Sequence, residues 1–195
     1  MDALQKDWTF TRQLTVDLLD ACSQGDLDFA LNSHCGPLWK QFRHMGRVHE
    51  NYLPALKTGQ VNFDPADGSY AGKASAKYLN GYFEKLEKYH INTFAGLGSG
   101  QVVSWFGEDV SPCIHLCRLL AHETLHHGHL ILYWRALGHP FPESWANWGA
   151  CRVKLKHMPF TVAFFSQRRI KKAAIEVGIF QLSWRWRSPS YFMPN

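Results

Sequence analysis

The chain has 195 residues, 46% of them hydrophobic and 19% charged, enough for one domain with a substantial core and a composition that excludes intrinsic disorder. No apolar run reaches the roughly 18 residues of a membrane span, and the N-terminal MDALQKDWTF has no apolar h-region, so no signal peptide is expected and the cytoplasm is the default compartment. The net charge of +5 is unevenly placed: residues 1–150 carry 12 Lys/Arg against 15 Asp/Glu, while 151–195 carry 9 against Glu176 alone, which argues against a nucleic-acid role for the main body.

Helical spacing dominates the elements in chain order. A first helix is predicted over about Trp8 to Cys22, with Phe10, Leu14, Leu18 and Cys22 on one face and Gly25 at its stop. GDLDFALNSHCG reads as a polar connector to Pro37. The second helix, Leu38 to Leu56, repeats Leu38, Phe42, Met45, Tyr52, Leu53 and Leu56 at helical intervals, and TGQVNFDPADGSY after it reads as a loop. The third helix runs from about Ala71 to His90 on a stripe of Leu79, Tyr82, Phe83 and Leu86. The glycine-rich INTFAGLGSGQVVSWFGED follows, with room for a short strand at Val102–Phe106. Its GLGSGQ lacks the Lys-Ser/Thr of a phosphate loop and reads as a flexible loop.

The fourth helix carries the strongest signals. Ser111 is a good N-cap, Pro112 suits the first turn, and the pattern holds to Leu137, with Gly138 where a C′ residue belongs. Pro140 and Pro142 forbid its continuation. Four amphipathic helices without a convincing sheet predict an all-α four-helix bundle over 1–150. Residues 151–195 are basic, aromatic and weakly periodic, with a helix conceivable over Ala163 to Gly178. They read as a C-terminal extension of unknown role. Its RR and KK pairs with Trp184 and Trp186 suit nucleic acid or anionic lipid, but a solvated extension is the preferred reading. Five cysteines, an odd number with no CxxC, point to free thiols in a reducing compartment.

Four of the eleven histidines fall within 122–129. At about 100° per residue, His115, His122, His126 and His129 share an arc of roughly 60° with Leu119 and Tyr133, so this stripe faces an interior. His127 points away and reads as a solvated or interface residue. His122 and His126 stack one turn apart, the spacing two imidazoles need to reach one ion at about 2.0–2.1 Å. A single buried histidine is more often a hydrogen-bonded core residue, and His115 and His129 are read that way. The pair differs, because burying several imidazoles without a shared ion strands polar nitrogens. A third ligand must come from another helix, and the second offers His44 and His49. The helical wheel favours His49, near the centre of the apolar face, over His44, about 120° away on the Val48/Ala55 flank. Cys113 and Cys117 lie opposite the histidines and read as helix packing.

FRHMGRVHENYLPAL, followed by LAHETLHHGHLILYWRALGHPFPESW, resembles the DinB-like (DinB/YfiT) superfamily of metalloenzymes over roughly residues 8–148. That family places one His in its second helix, then an H-x-x-x-H pair, a Gly-Gln step and an R-x-L-G-x-P close. Here these are His44, His122, His126, Gly128, Arg135, Leu137, Gly138 and Pro140, with His129 where Gln is common. The resemblance implies His44 as the third ligand, against the wheel. His49 then becomes a supporting or core histidine, and His129 a fourth candidate ligand or a supporting donor.

Residues 122–126 also spell H-E-x-x-H, in which a zinc protease uses the Glu as general base. The match is short, and the longer protease form fails at His129 and Leu132. Glu123 is left as a candidate base, a supporting partner or a surface charge. Three neutral imidazoles leave a divalent ion, zinc or nickel first and iron or copper next, with open positions for a water or a thiolate. The expected function is a metal-dependent hydrolase or transferase acting on a small molecule. The resemblance implies thiol transfer with a low-molecular-weight thiol. The competing class is a non-catalytic, metal-stabilised binding or dimerisation protein, a homodimer through its bundle faces. No membrane or nucleic-acid partner is expected.

Overall fold

The computed structural model describes residues 2–63, 69, 70, 72, 74–94 and 100–149, all within the compact unit Met1–Lys154. The extension 151–195, with the helix expected over 163–178, lies outside the described residues, as does most of GLGSGQ. Among the described residues, six helices and one hairpin follow in order: α1 Asp2–Asp20, α2 Gln24–Asp28, α3 Leu38–Thr58, α4 Ala76–Phe94, β1 Val103–Trp105, β2 Glu108–Val110, α5 Pro112–Leu137 and α6 Glu143–Asn147. Among the described residues, no helix is long and apolar enough to cross a membrane.

The four long helices form the bundle. α3 packs on α4 and α5, and α1 packs on the same two, so α1, α4, α3 and α5 follow one another around a shared core. Leu18, Phe42, Met45, Phe83, Leu130 and Trp134 fill one end. Leu53, Leu56, Val103, Leu116 and Leu119 fill the other.

Several elements differ from the sequence reading for local reasons. The predicted first stripe is rotated: Phe10 is 48% exposed, while Thr11, Arg12 and Thr15 are buried. Polar residues turn inward there because α5 offers them polar partners. The connector at 23–28 holds α2, closed by a capping box in which Ser23 and Asp26 satisfy each other's backbone N–H. The chain after Pro142 turns into α6, whose Trp145 plugs the core and donates from Nε1 to the Leu14 carbonyl at 2.7 Å. The short strand expected near 102–106 is β1, and it pairs antiparallel with β2, which hydrophobicity alone did not mark. Phe106 and Gly107 make its two-residue turn, both at positive φ (47° and 88°), as the twist of a tight hairpin requires.

α5 begins and ends as its caps dictate. Ser111 Oγ accepts from the Ile114 N–H, Pro112 opens the first turn, and Gly138 closes the helix at φ 76°.

Candidate metal centre

α3 and α5 pack side by side and bring His44, His122 and His126 together. One ring nitrogen from each lies within 4.8 Å of the others. Ring centroids are 4.7 Å apart for His44–His126, 5.3 Å for His44–His122 and 4.6 Å for His122–His126. His122 Nε2 and His126 Nε2 face each other at 3.2 Å. Two nitrogens bound at about 2.0–2.1 Å to one tetrahedral ion stand about 3.3–3.4 Å apart, so the observed spacing matches shared coordination. His122 Nδ1 is buried and has no hydrogen-bond partner. Exposure rises from buried His126 through half-buried His122 to exposed His44, which leaves one edge of the trio open to solvent. Three imidazoles without a carboxylate suit a borderline divalent ion such as zinc or nickel.

The surroundings keep these rings neutral, as ligation demands. Burial, then the neighbouring His44, brings the His122 pKa down to about 4. Burial, then His122 and His44, brings His126 down to about 3. His44 is lowered by burial and then by Arg47 and Arg43 on its own helix. His126 also has an outer partner, Gln41 Oε1, at 3.0 Å from Nδ1.

A second polar cluster lies on the neighbouring face of α5. Glu123 is 1% exposed. Its Oε2 accepts from Arg12 Nη2 at 3.1 Å and from His49 Nε2 at 3.0 Å, and its Oε1 from Thr15 Oγ1 at 2.5 Å. Arg12 Nη2 also donates to His49 Nδ1 at 2.6 Å. With the Thr15 proton given to Glu123, His127 Nε2 donates to Thr15 Oγ1 at 2.7 Å. Burial pushes the Glu123 carboxyl up, but Arg12, His49 and the Thr15 hydroxyl outweigh it and hold it well below the usual carboxylate range. Burial, then Arg12, lowers His49 to about 4 despite the pull of Glu123.

These positions sort the sequence candidates. His44 joins His122 and His126; His49 does not, being fully buried against Glu123 and Arg12. His129 is exposed and meets the His126 ring edge-on at 5.2 Å, outside the trio. His115 is a core histidine bonded through Nε2 to the Tyr52 carbonyl at 2.8 Å. His127, read as a solvated or interface residue, is 1% exposed and faces α1, where Thr15 gives its nitrogen a partner. Glu123 is not a surface charge. Cys113 and Cys117, expected in packing, are exposed, and the four described cysteines are all free thiols. Gln41, Thr15 and Arg12 went unnoticed in the sequence. The signal for Gln41 was its place three residues before His44, on the same helical face.

No protein-family model and no curated protein matches the sequence. Among solved structures, a DinB-like protein from Bacillus cereus superposes with a TM-score of 0.59 at 18% identity, over 73% of this chain and 95% of that one. The fold is DinB-like. In this DinB-like bundle the histidine trio spans the second and fourth long helices, α3 and α5. At 18% identity the likeness speaks for the fold alone, so the case for the site rests on the arrangement of its own side chains.

Proposed function

We propose that this protein holds one divalent metal ion on His44, His122 and His126 and acts on a small-molecule substrate as a transferase or hydrolase, with thiol transfer preferred. The observation that carries the reading is the convergence of three neutral imidazoles from two helices, with two Nε2 atoms 3.2 Å apart. When bound, the ion supplies either a water of lowered pKa or a site that holds a substrate thiol as thiolate. The rest falls to the chain. His126 and His122 fix the inner edge of the site, and exposed His44 sits where a substrate arrives. Glu123 cannot approach such a substrate without leaving Arg12, His49 and Thr15, so its role is to anchor α5 rather than to move a proton. That disfavours the protease reading of H-E-x-x-H.

A second reading, a non-catalytic metal-stabilised protein that pairs with another copy, draws on Leu125 and Leu132, which α5 exposes at 61% and 56%. Elemental analysis of the purified full chain tests the site. About one metal ion per chain is expected in the wild type and in His49→Ala, and a loss in His44→Ala and His126→Ala. Unchanged metal content in His126→Ala, or loss in His49→Ala but not His44→Ala, overturns the assignment. Turnover of a low-molecular-weight thiol with an electrophile by the metal-loaded protein then separates the enzyme from the binding protein.

A further inference from the structure

We propose that Gln41 is a positioning residue of this centre: its side-chain carbonyl oxygen keeps the His126 proton on Nδ1 and leaves the Nε2 lone pair facing His122 and His44. The purpose of this device rests on the metal reading above; its geometry does not.

The direction of this hydrogen bond follows from which group can donate. Gln41 Oε1 stands 3.0 Å from His126 Nδ1. A carbonyl oxygen cannot donate, so Nδ1 carries the hydrogen. A neutral imidazole has one N–H, so Nε2 is bare, and it is the atom 3.2 Å from His122 Nε2. His122 has no such partner: its Nδ1 is buried without one, and its Nε2, facing the bare nitrogen of His126, is the donor of that contact. His126 is thus set as a ligand before any ion arrives, while His122 must move its proton to Nδ1 to join it.

The arrangement is built into the two helices that bear the imidazoles: Gln41 precedes His44 by three residues on α3 and reaches across to His126 on α5. Outer partners that orient a ligating imidazole commonly change metal affinity by about 10–100-fold.

Full-length protein, 15N-labelled and stripped of metal, reports the tautomer directly in long-range 1H–15N correlation spectra. The wild type is expected to show His126 protonated on Nδ1, and Gln41→Met to shift it toward the Nε2–H form. Gln41→Glu keeps an acceptor and should retain the wild-type tautomer. Zinc affinity, measured against a chelator, should fall about 10–100-fold in Gln41→Met and recover in Gln41→Glu, with unchanged melting temperatures of the stripped variants. An Nε2–H tautomer in the stripped wild type overturns the proposal, as does an unaltered tautomer in Gln41→Met. A tautomer as stated in a protein that binds no zinc upholds the proposal and removes the metal reading instead.

Discussion

Glu123→Gln removes one negative charge from the middle of the bundle and leaves the side-chain shape almost unchanged. The native carboxylate accepts from Arg12, His49 and Thr15 at 3.1, 3.0 and 2.5 Å. An amide keeps one acceptor oxygen, but its NH2 must face one of those donors. Arg12, whose side chain is 7% exposed, is left with an uncompensated buried charge. A neutral hydrogen bond is worth about 1 kcal/mol, whereas removing one partner of a buried ion pair costs about 3–5 kcal/mol, so the charge decides the outcome. The expected loss is about 3–4 kcal/mol in chemical denaturation. For a bundle of about 150 residues this lowers Tm by roughly 6–16 °C, read by circular dichroism. Zinc content should not change, because the carboxylate belongs to the cluster facing α1 and not to the imidazole trio. The double variant Arg12→Met/Glu123→Leu should be more stable than Arg12→Met or Glu123→Leu alone, since it removes both charges together. A loss under about 1 kcal/mol in Glu123→Gln would refute the buried-pair account. So would metal loss from a folded variant.

Zinc at about 100 times its dissociation constant should stabilise the wild type by about 2.7 kcal/mol and leave His126→Ala unmoved; equal thermal shifts in the two proteins would place the ion elsewhere. Acid should unfold the metal-free protein early. Burial lowers His90 to about 3 and His127 to about 4, below their unfolded value near 6.5, so the unfolded chain binds more protons and stability falls as pH drops below about 6.5. At pH 5 each group accounts for about 2 kcal/mol of loss, and a stability flat between pH 7 and pH 5 contradicts this. Gly46→Ala would improve helix propensity by about 1 kcal/mol, but a Cβ there would overlap the Tyr82 ring. Overpacking of about 1–3 kcal/mol should prevail in urea unfolding, and a stabilised variant would show that α3 and α4 can part at little cost.

The long helices were legible because their apolar residues repeat at helical spacing and their ends carry local signals, such as Ser111, Pro112 and Gly138 around α5. What escaped notice depends on partners distant in sequence. Nothing near Thr15 indicates that it bonds Glu123, 108 positions away, so the polar buried face of α1 was misjudged and Phe10 was placed inside. α2 and α6 have five residues each, too few for periodicity to register. The choice between His44 and His49 shows the limit of a helical wheel. The wheel identifies the residue deepest in the apolar face, and His49 is indeed fully buried there. Depth in the apolar face is a different property from nearness to the other imidazoles, and His44, on the flank, is the one beside His122 and His126.

The segment His122-Glu123-Thr124-Leu125-His126-His127 is best understood as two interleaved pairs. His122 and His126 are four residues apart and share one face of α5, toward α3; Glu123 and His127 are also four apart and share a face turned by about 100°, toward α1. The first pair meets His44 at an edge open to solvent. The second meets Thr15, Arg12 and His49 in the dry interior, where each polar atom needs a protein partner. The same run of letters that imitates a protease motif thus arises because one helix serves two neighbours with different needs. A general base would have to lie on the ligand face with room for water. Glu123 lies one residue, and so about a quarter turn, away from it. The histidines present an open set of donors, and the glutamate beside them ties α5 to α1 and so holds that set in place.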